Sequence, residues 1–165
     1  MATSFPGWHS FLSFFSGAGT AQSEAAFQII RQAMQRRSLP IDPKDVEPDY
    51  FCWHSSFGSA NLLIMLYLDQ SLSVPEWVVQ VSAVMVRVPG ESQDLLFRHC
   101  LSLNMNLVDC YFALHHEADV VLTSKRRVQG LDASDFESML SSVSLQADQF
   151  DDELSSRFGA EMWGS

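Results

Sequence analysis

The run EWVVQVSAVMVRV, from Glu76 to Val88, decides the fold of this chain. It is rich in β-branched residues and ends at Pro89-Gly90, so it predicts one long strand. Alternate side chains share a face, and one face is entirely apolar: Trp77, Val79, Val81, Ala83 and Met85. The opposite face mixes apolar and polar side chains. We therefore expect a sheet that helices cover mainly on one side.

Four further strand-like runs surround this one. Tyr50 to Ser55 and Leu62 to Leu68 precede it along the chain. Asp109 to His115 and Val120 to Ser124 follow it and form a predicted hairpin through the turn His116 to Asp119. Because the links between consecutive strands are short, we expect antiparallel pairing.

Three segments are predicted as helices from their apolar spacing and end signals. They run from Thr20 to about Arg37, from Glu91 to Asn104, and from the capping residue Asp132 onward. Three prolines in and around the acidic segment Asp42 to Asp49 are expected to exclude regular structure there. The sequence therefore predicts an α+β domain with a five-stranded antiparallel sheet and three helices, in the order α-β-β-β-α-β-β-α.

We expect this single domain to span residues 20–158, preceded by an arm of residues 1–19 and followed by a tail of residues 159–165. The arm ends in Gly17-Ala18-Gly19 and carries no Lys or Arg. Because a secretory signal begins with basic residues, we do not expect the arm to be one. It could occupy a groove of its own protein until a client displaces it, or pack permanently on the core. Six large apolar residues motivate both alternatives: Phe5, Trp8, Phe11, Leu12, Phe14 and Phe15.

Composition narrows the class of partner. The net charge of −10 repels phosphate backbones, so we expect no nucleic acid, and an acidic surface suits a partner with basic segments. No apolar run approaches the length of a bilayer span, so we expect no membrane partner. Only 18% of the residues are charged, which suggests apolar surface that a second copy covers. Three cysteines without a C-x-x-C pair favour a cytoplasmic location.

No constellation of residues predicts catalysis or a bound metal. There is no G-x-S-x-G motif and no glycine-rich phosphate loop. Cys52-x-His54, His99-Cys100 and His115-His116 offer zinc-ligand types, but they do not form a closed set of four at compact spacing. We therefore expect no enzyme activity, metal or cofactor. The alternative is a small-molecule or metal-binding protein, possibly an enzyme, that uses these Cys and His residues.

The stretch from Leu95 to Leu154 resembles the class I type III secretion chaperones and their YbjN-like relatives, including a non-secretion branch of cyanobacteria and plastids. Its leucine-rich helix ends in Leu103-Asn104, and Tyr111-Phe112-Ala113-Leu114 follows as a strand. After a turn come Val120-Val121-Leu122, a basic link, and Gly130-Leu131-Asp132 at the start of the last helix. The turn lacks the glycine of the family pattern, and the aromatic arm has no counterpart in that pattern.

The resemblance implies a homodimer that holds an apolar or extended segment of a client protein without catalysis. Client contacts are expected on the long strand and the first helix, and the alternative for each residue is core packing. These predicted contacts are Phe27, Ile30, Trp77, Val79 and Val81.

The second helix is the predicted dimer contact. Its apolar stripe runs through Leu96 and Cys100 and is expected to face the core. Phe97, Leu101 and Met105 form a second row beside that stripe, so they could face outward and meet a second copy.

Overall fold

In the computed structural model, which describes residues 20–58, 60–87, 93–115, 119–158 and 161–162, the chain forms three helices and seven strands over those ranges. The helices are α1 (Thr20–Arg36), α2 (Gln93–Leu103) and α3 (Ala133–Phe158). The strands are β1 (Asp45–Glu47), β2 (Tyr50–Phe57), β3 (Ala60–Asp69), β4 (Glu76–Arg87), β5 (Tyr111–His115), β6 (Asp119–Arg127) and β7 (Glu161–Met162).

The strands form one antiparallel sheet in the order β1-β2-β3-β4-β6-β5. After β4, α2 carries the chain to the edge of the sheet, where β5 begins. The β5–β6 hairpin then places β6 between β5 and β4, with Val81 opposite Ser124. An irregularity between Val84 and Val86 shifts the register near one end of β4. The short β7 pairs with the same end of β4.

The α+β class, the three helices and the five predicted strands are confirmed. The exclusion of regular structure from the proline-containing segment is wrong, because β1 lies between Pro43 and Pro48. Neither proline falls inside that strand, so every residue of β1 keeps the amide that ladder pairing requires. Two segments form more strand than expected: β6 extends through the basic run to Arg127, and β7 lies in the predicted tail.

The core lies between the apolar face of the sheet and helices α1 and α3. Phe27 of α1 contacts the rings of Phe51 and Trp53, each with 5.3 Å between ring centroids. Trp53 is fully buried, and its indole Nε1 donates to the carbonyl oxygen of Ile41 over 3.1 Å. This bond satisfies the one polar group of a large core side chain. Aromatic packing therefore fixes α1 against the β2 side of the sheet.

Helix α3 begins with a reciprocal cap. The Asp135 amide donates to Asp132 Oδ1 over 2.8 Å, and the Asp132 amide donates to Asp135 Oδ2 over 3.3 Å. Arg36 at the end of α1 forms an ion pair with Glu137 of α3 at 2.7 Å, which joins the two helices. Among the described helices, α3 included, none has the length and apolar character needed to cross a bilayer.

Candidate functional site

A small apolar groove lies between α2 and the edge strand β5. Its volume is about 100 Å³. Phe97 and Leu101 line it from α2, and Phe112 and Leu114 line it from β5. Its walls carry almost no polar atoms, so water inside the groove finds few partners there. This surface, which we call the α2–β5 groove, therefore favours an apolar occupant.

Large apolar side chains around the groove project into solvent in a single copy. Leu101 is 66% exposed, Met105 is 84% exposed and Leu114 is 53% exposed. Phe97 is half-buried and packs against the core. Of the three predicted dimer residues, Phe97 and Leu101 line the groove, and Met105 is exposed in the turn that follows α2. Their role in a dimer stays a prediction.

Asn104 holds the edge strand beside α2. Its side-chain Nδ2 donates to the carbonyl oxygen of Phe112 over 3.1 Å, and its Oδ1 accepts from the Phe112 amide over 2.7 Å. The side chain thus occupies part of the free edge of the sheet. In a strand, residues two apart direct their backbone groups to the same side, so the backbone of Leu114 also faces the edge. The sequence analysis did not predict Leu114 as a groove residue. Its position two residues after Phe112 nevertheless indicates that both side chains lie on the same face of β5.

Contacts with α3 fix the other side of α2. Leu96 and Cys100 are buried, as their spacing predicted. His99 Nε2 lies 2.9 Å from Glu153 Oε1, and the His99 ring contacts Phe158 with 5.4 Å between centroids. Because this side of α2 packs against α3 and the core, Leu101 on the opposite side faces solvent.

The outer face of the sheet carries a second, larger concavity of about 950 Å³. The half-buried apolar side chains of Leu63 and Val84 line it, with His54, Asn61 and Arg87 among its polar lining residues. The long strand was predicted to be covered mainly on one side. On its outer face buried and half-buried residues alternate, so the strand is more covered there than its sequence pattern indicated. A concavity with apolar and hydrogen-bonding groups suits an extended peptide, which presents both side chains and backbone.

A polar ladder crosses the same outer face. Tyr67 donates its hydroxyl to Gln80 Oε1 over 2.9 Å, and Gln80 Nε2 donates to Ser82 Oγ over 3.0 Å. The Ser82 and Thr123 hydroxyl oxygens are 2.8 Å apart in a buried hydrogen bond. These bonds join β3, β4 and β6 and satisfy hydroxyl groups that would otherwise be costly to bury.

The predicted client contacts lie in the core, which corrects the expectation of an exposed patch. Ile30, Val79 and Val81 are fully buried, Phe27 is 4% exposed and Trp77 is 7% exposed. The cause is the packing of α1 and α3 onto the apolar face of the sheet. A client could touch these five side chains only if those helices moved, and their role as client contacts stays a prediction.

His116 lies outside the described residues, and the other predicted zinc-ligand types, all of them described, do not come together into one set of four. Cys52 and His54 share a face of β2, but His115 lies on β5, four strands away in the sheet order. Four strand spacings amount to roughly 19 Å. His99 and Cys100 lie on α2, where His99 faces Glu153 and Cys100 is buried.

The three cysteines are free and buried. Burial raises the pKa of Cys52, and it raises the pKa of Cys100 and of Cys110 to about 11 in each case. At neutral pH these groups are therefore thiols, which are weaker nucleophiles than thiolates. The arrangement provides surfaces for binding rather than an activated cysteine.

A family model and solved structures match this chain. The family model CesT_Tir_1 matches residues 57–158, more than half of the chain. The crystal structure of the ExsC-ExsE complex contains a chain with the same fold, at a TM-score of 0.57 and 15% sequence identity. That match covers 87% of this chain and 98% of the other. Among curated proteins, none matches the chain.

The family match includes the whole stretch whose motifs carried the resemblance, from Leu95 to Leu154. It also includes α2, β5 and the groove between them. The resemblance drawn from the sequence is thereby confirmed, and the chain belongs to the CesT_Tir_1 family of type III secretion chaperones.

Proposed function

We propose that this protein is a partner-binding chaperone that holds an apolar or extended segment of a client protein and has no catalytic activity. Membership of the chaperone family supports the class of function. The observation that carries the proposal is the outer-face concavity of about 950 Å³, where apolar side chains lie beside hydrogen-bonding groups. An extended client segment presents both side chains and backbone to such a surface.

The α2–β5 groove is the proposed homodimer contact. A two-fold interface uses the same patch on both copies, so the patch must be complementary to itself. The exposed side chain of Leu101 at a groove of about 100 Å³, with exposed Met105 in the turn after α2, supports this contact, since each copy offers both protrusion and recess. Burying this surface in a second copy also accounts for the low proportion of charged residues in the chain.

The outer-face concavity is the proposed client site. Its volume of about 950 Å³ falls within the usual range of ligand pockets. Leu63 and Val84 offer apolar contact to client side chains, while Asn61 and Arg87 can hydrogen-bond to a client backbone. The five predicted client contacts in the core then support the client indirectly, because they shape the sheet on which the concavity lies. These residues are Phe27, Ile30, Trp77, Val79 and Val81. We place the chaperone in the cytoplasm, where a reducing environment keeps its three buried thiols free.

Affinity capture tests the client site. Tagged wild-type protein and the variants Leu63→Asp and Leu145→Asp are incubated with native lysate, and the retained proteins are identified by mass spectrometry. Leu145 is exposed on α3, away from the sheet, so its variant is the matched control. We expect a client that wild type and Leu145→Asp retain and that Leu63→Asp loses. A client retained equally by all three would contradict the assignment of the outer face.

A further inference from the structure

A carboxylate, a thiol and an imidazole share one side of the sheet where β1 pairs with β2. Cys52 and His54 are two residues apart in β2, so their side chains project to the same side. Asp45 of β1 lies directly opposite Cys52 in the antiparallel register, and directly opposed residues share a face. The backbone register therefore places three metal-binding side chains next to one another on the same face.

The potential ligand atoms of these three residues are close enough to serve one ion. One atom from each lies within 4.8 Å of the other two, and His54 Nε2 is 3.4 Å from Asp45 Oδ2. In a tetrahedral zinc site with bonds of about 2.0–2.3 Å, ligand atoms are roughly 3.3–3.8 Å apart. The imidazole–carboxylate distance already falls in that range, and rotation of two exposed side chains can close the remaining gaps.

The surroundings also suit an ion. Cys52 is buried at the base of the cluster, whereas the side chains of Asp45 and His54 are 62% and 45% exposed. An ion can therefore enter from solvent and meet the thiol at the bottom. Tyr50 lies two residues before Cys52 on the same side of β2, which gives the sulfur a polar neighbour of the kind that orients ligands in metal sites. Without an ion, the exposed His54–Asp45 pair would contribute little to stability.

We propose that Asp45, Cys52 and His54 bind a zinc ion, with water in the fourth position. Thiolate, imidazole and carboxylate are the three ligand types that zinc takes from proteins, and three protein ligands leave one position open. Binding replaces the proton of the Cys52 thiol with the metal and releases that proton to solvent. The ion joins the three-residue edge strand β1 to β2. This site is separate from the proposed dimer contact but shares His54 with the lining of the proposed client site. Zinc binding is measured without a client, so its test does not depend on the chaperone function.

Calorimetric titration with zinc chloride tests the proposal on the full-length chain after treatment with a chelator. We expect one zinc ion per chain. The variants His54→Ala and Asp45→Asn alter exposed side chains, so they should fold, and circular dichroism verifies this. Because loss of a group that only orients a ligand costs about 10–100-fold in metal affinity, His54→Ala should weaken zinc binding by at least ~10-fold.

Cobalt substitution reports the sulfur directly, because a cobalt–thiolate bond gives an absorption band that oxygen and nitrogen ligands do not. The wild-type protein should show this band, and Cys52→Ser should abolish it. Cys110→Ser is the matched control, since Cys110 is also free and buried but lies outside the cluster; it should keep the band and the zinc affinity. The proposal is overturned if the wild type binds no zinc, or if His54→Ala and Cys52→Ser bind it as the wild type does.

Discussion

The side-chain amide of Asn104 takes the place beside Phe112 that the backbone of a further strand would occupy. Both the amide and the carbonyl of Phe112 are satisfied by this one side chain. Asn104 follows directly after the last residue of α2, so the pair of bonds fixes the end of the helix relative to the sheet edge. The position of the α2–β5 groove therefore depends on a residue that does not line it.

Replacing Asn104 with Ala should destabilise the fold. The change leaves a partly buried amide and carbonyl of Phe112 without these bonds, and the expected loss in free energy of unfolding is about 1–2 kcal/mol. Urea denaturation measures it. Asn106→Ala is the matched control, because Asn106 is exposed two residues further on, and its effect should stay within about 0.5 kcal/mol. Equal stability of the two variants would show that the Asn104 bonds are not formed in solution.

Ile30 provides a test of whether the predicted client contacts are core residues. Because Ile30 is fully buried in α1, Ile30→Ala should lower the free energy of unfolding by about 2–5 kcal/mol. Gln28→Ala alters an exposed position of the same helix and serves as the control. Urea denaturation is again the measurement. An Ile30→Ala variant with wild-type stability and lost client binding would instead make Ile30 a direct client contact.

The ion pair between Asp69 and Lys125 predicts a specific pH dependence. Lys125 Nζ lies 2.7 Å from Asp69 Oδ2, and the amide and hydroxyl of Ser71 donate to Asp69 Oδ1. These hydrogen bonds, with that from Lys125 the largest cause, lower the pKa of Asp69 to about 2. The unfolded value is about 3.9, so the stabilisation is present above about pH 4 and is lost as the pH falls through 2.

Asp69→Asn should therefore lower the thermal midpoint at pH 7 and reduce the further fall between about pH 4 and pH 2. The control is Asp42→Asn, at an exposed position in the proline-containing segment, which should keep the wild-type profile. The contribution of Lys125 to stability has the opposite pH dependence. Its pKa is raised to about 12, with the Asp69 hydrogen bond as the first cause, so its contribution is lost as the pH rises through 12. Identical acid profiles for wild type and Asp69→Asn would contradict this assignment.

Local sequence signals predicted most elements of the fold because each acts over a few residues. The long strand β4, the cap at Asp132 and the apolar stripe through Leu96 and Cys100 all appear in the structure as expected. The position of β6 beside β4 could not be predicted in this way, because the two strands are paired across the intervening helix and β5. Strand β1 was missed since a three-residue strand is too short to show alternation.

Local sequence pattern cannot distinguish a buried apolar face from an exposed one, so it could not show that the predicted client contacts lie in the core. The apolar face that bears Trp77 and Val79 has the same sequence pattern whether a helix or a client covers it. Here the chain's own helices cover it. The outward row at Leu101 and Met105 was predictable because a second, buried stripe on the same helix already accounted for the core. The approach of Asp45 to Cys52 depends on the pairing of β1 with β2 and could not be predicted once β1 was missed.

The proposed dimer contact at the α2–β5 groove predicts the oligomeric state of the protein and of its variants. Wild-type protein should elute as a dimer in size-exclusion chromatography with light scattering at micromolar concentration. The double variant Leu101→Asp, Met105→Asp should be monomeric, because dimerisation would bury unpaired carboxylates at a cost of several kcal/mol, which corresponds to a dissociation constant raised at least ~100-fold. Both side chains are exposed in a single copy, so the monomer should fold, and its urea midpoint checks this. Leu145→Asp places a carboxylate on α3 at a similarly exposed leucine and should leave the dimer intact. A monomeric wild type would remove the homodimer from the proposal, and a double variant that remains dimeric would move the contact away from the α2–β5 groove.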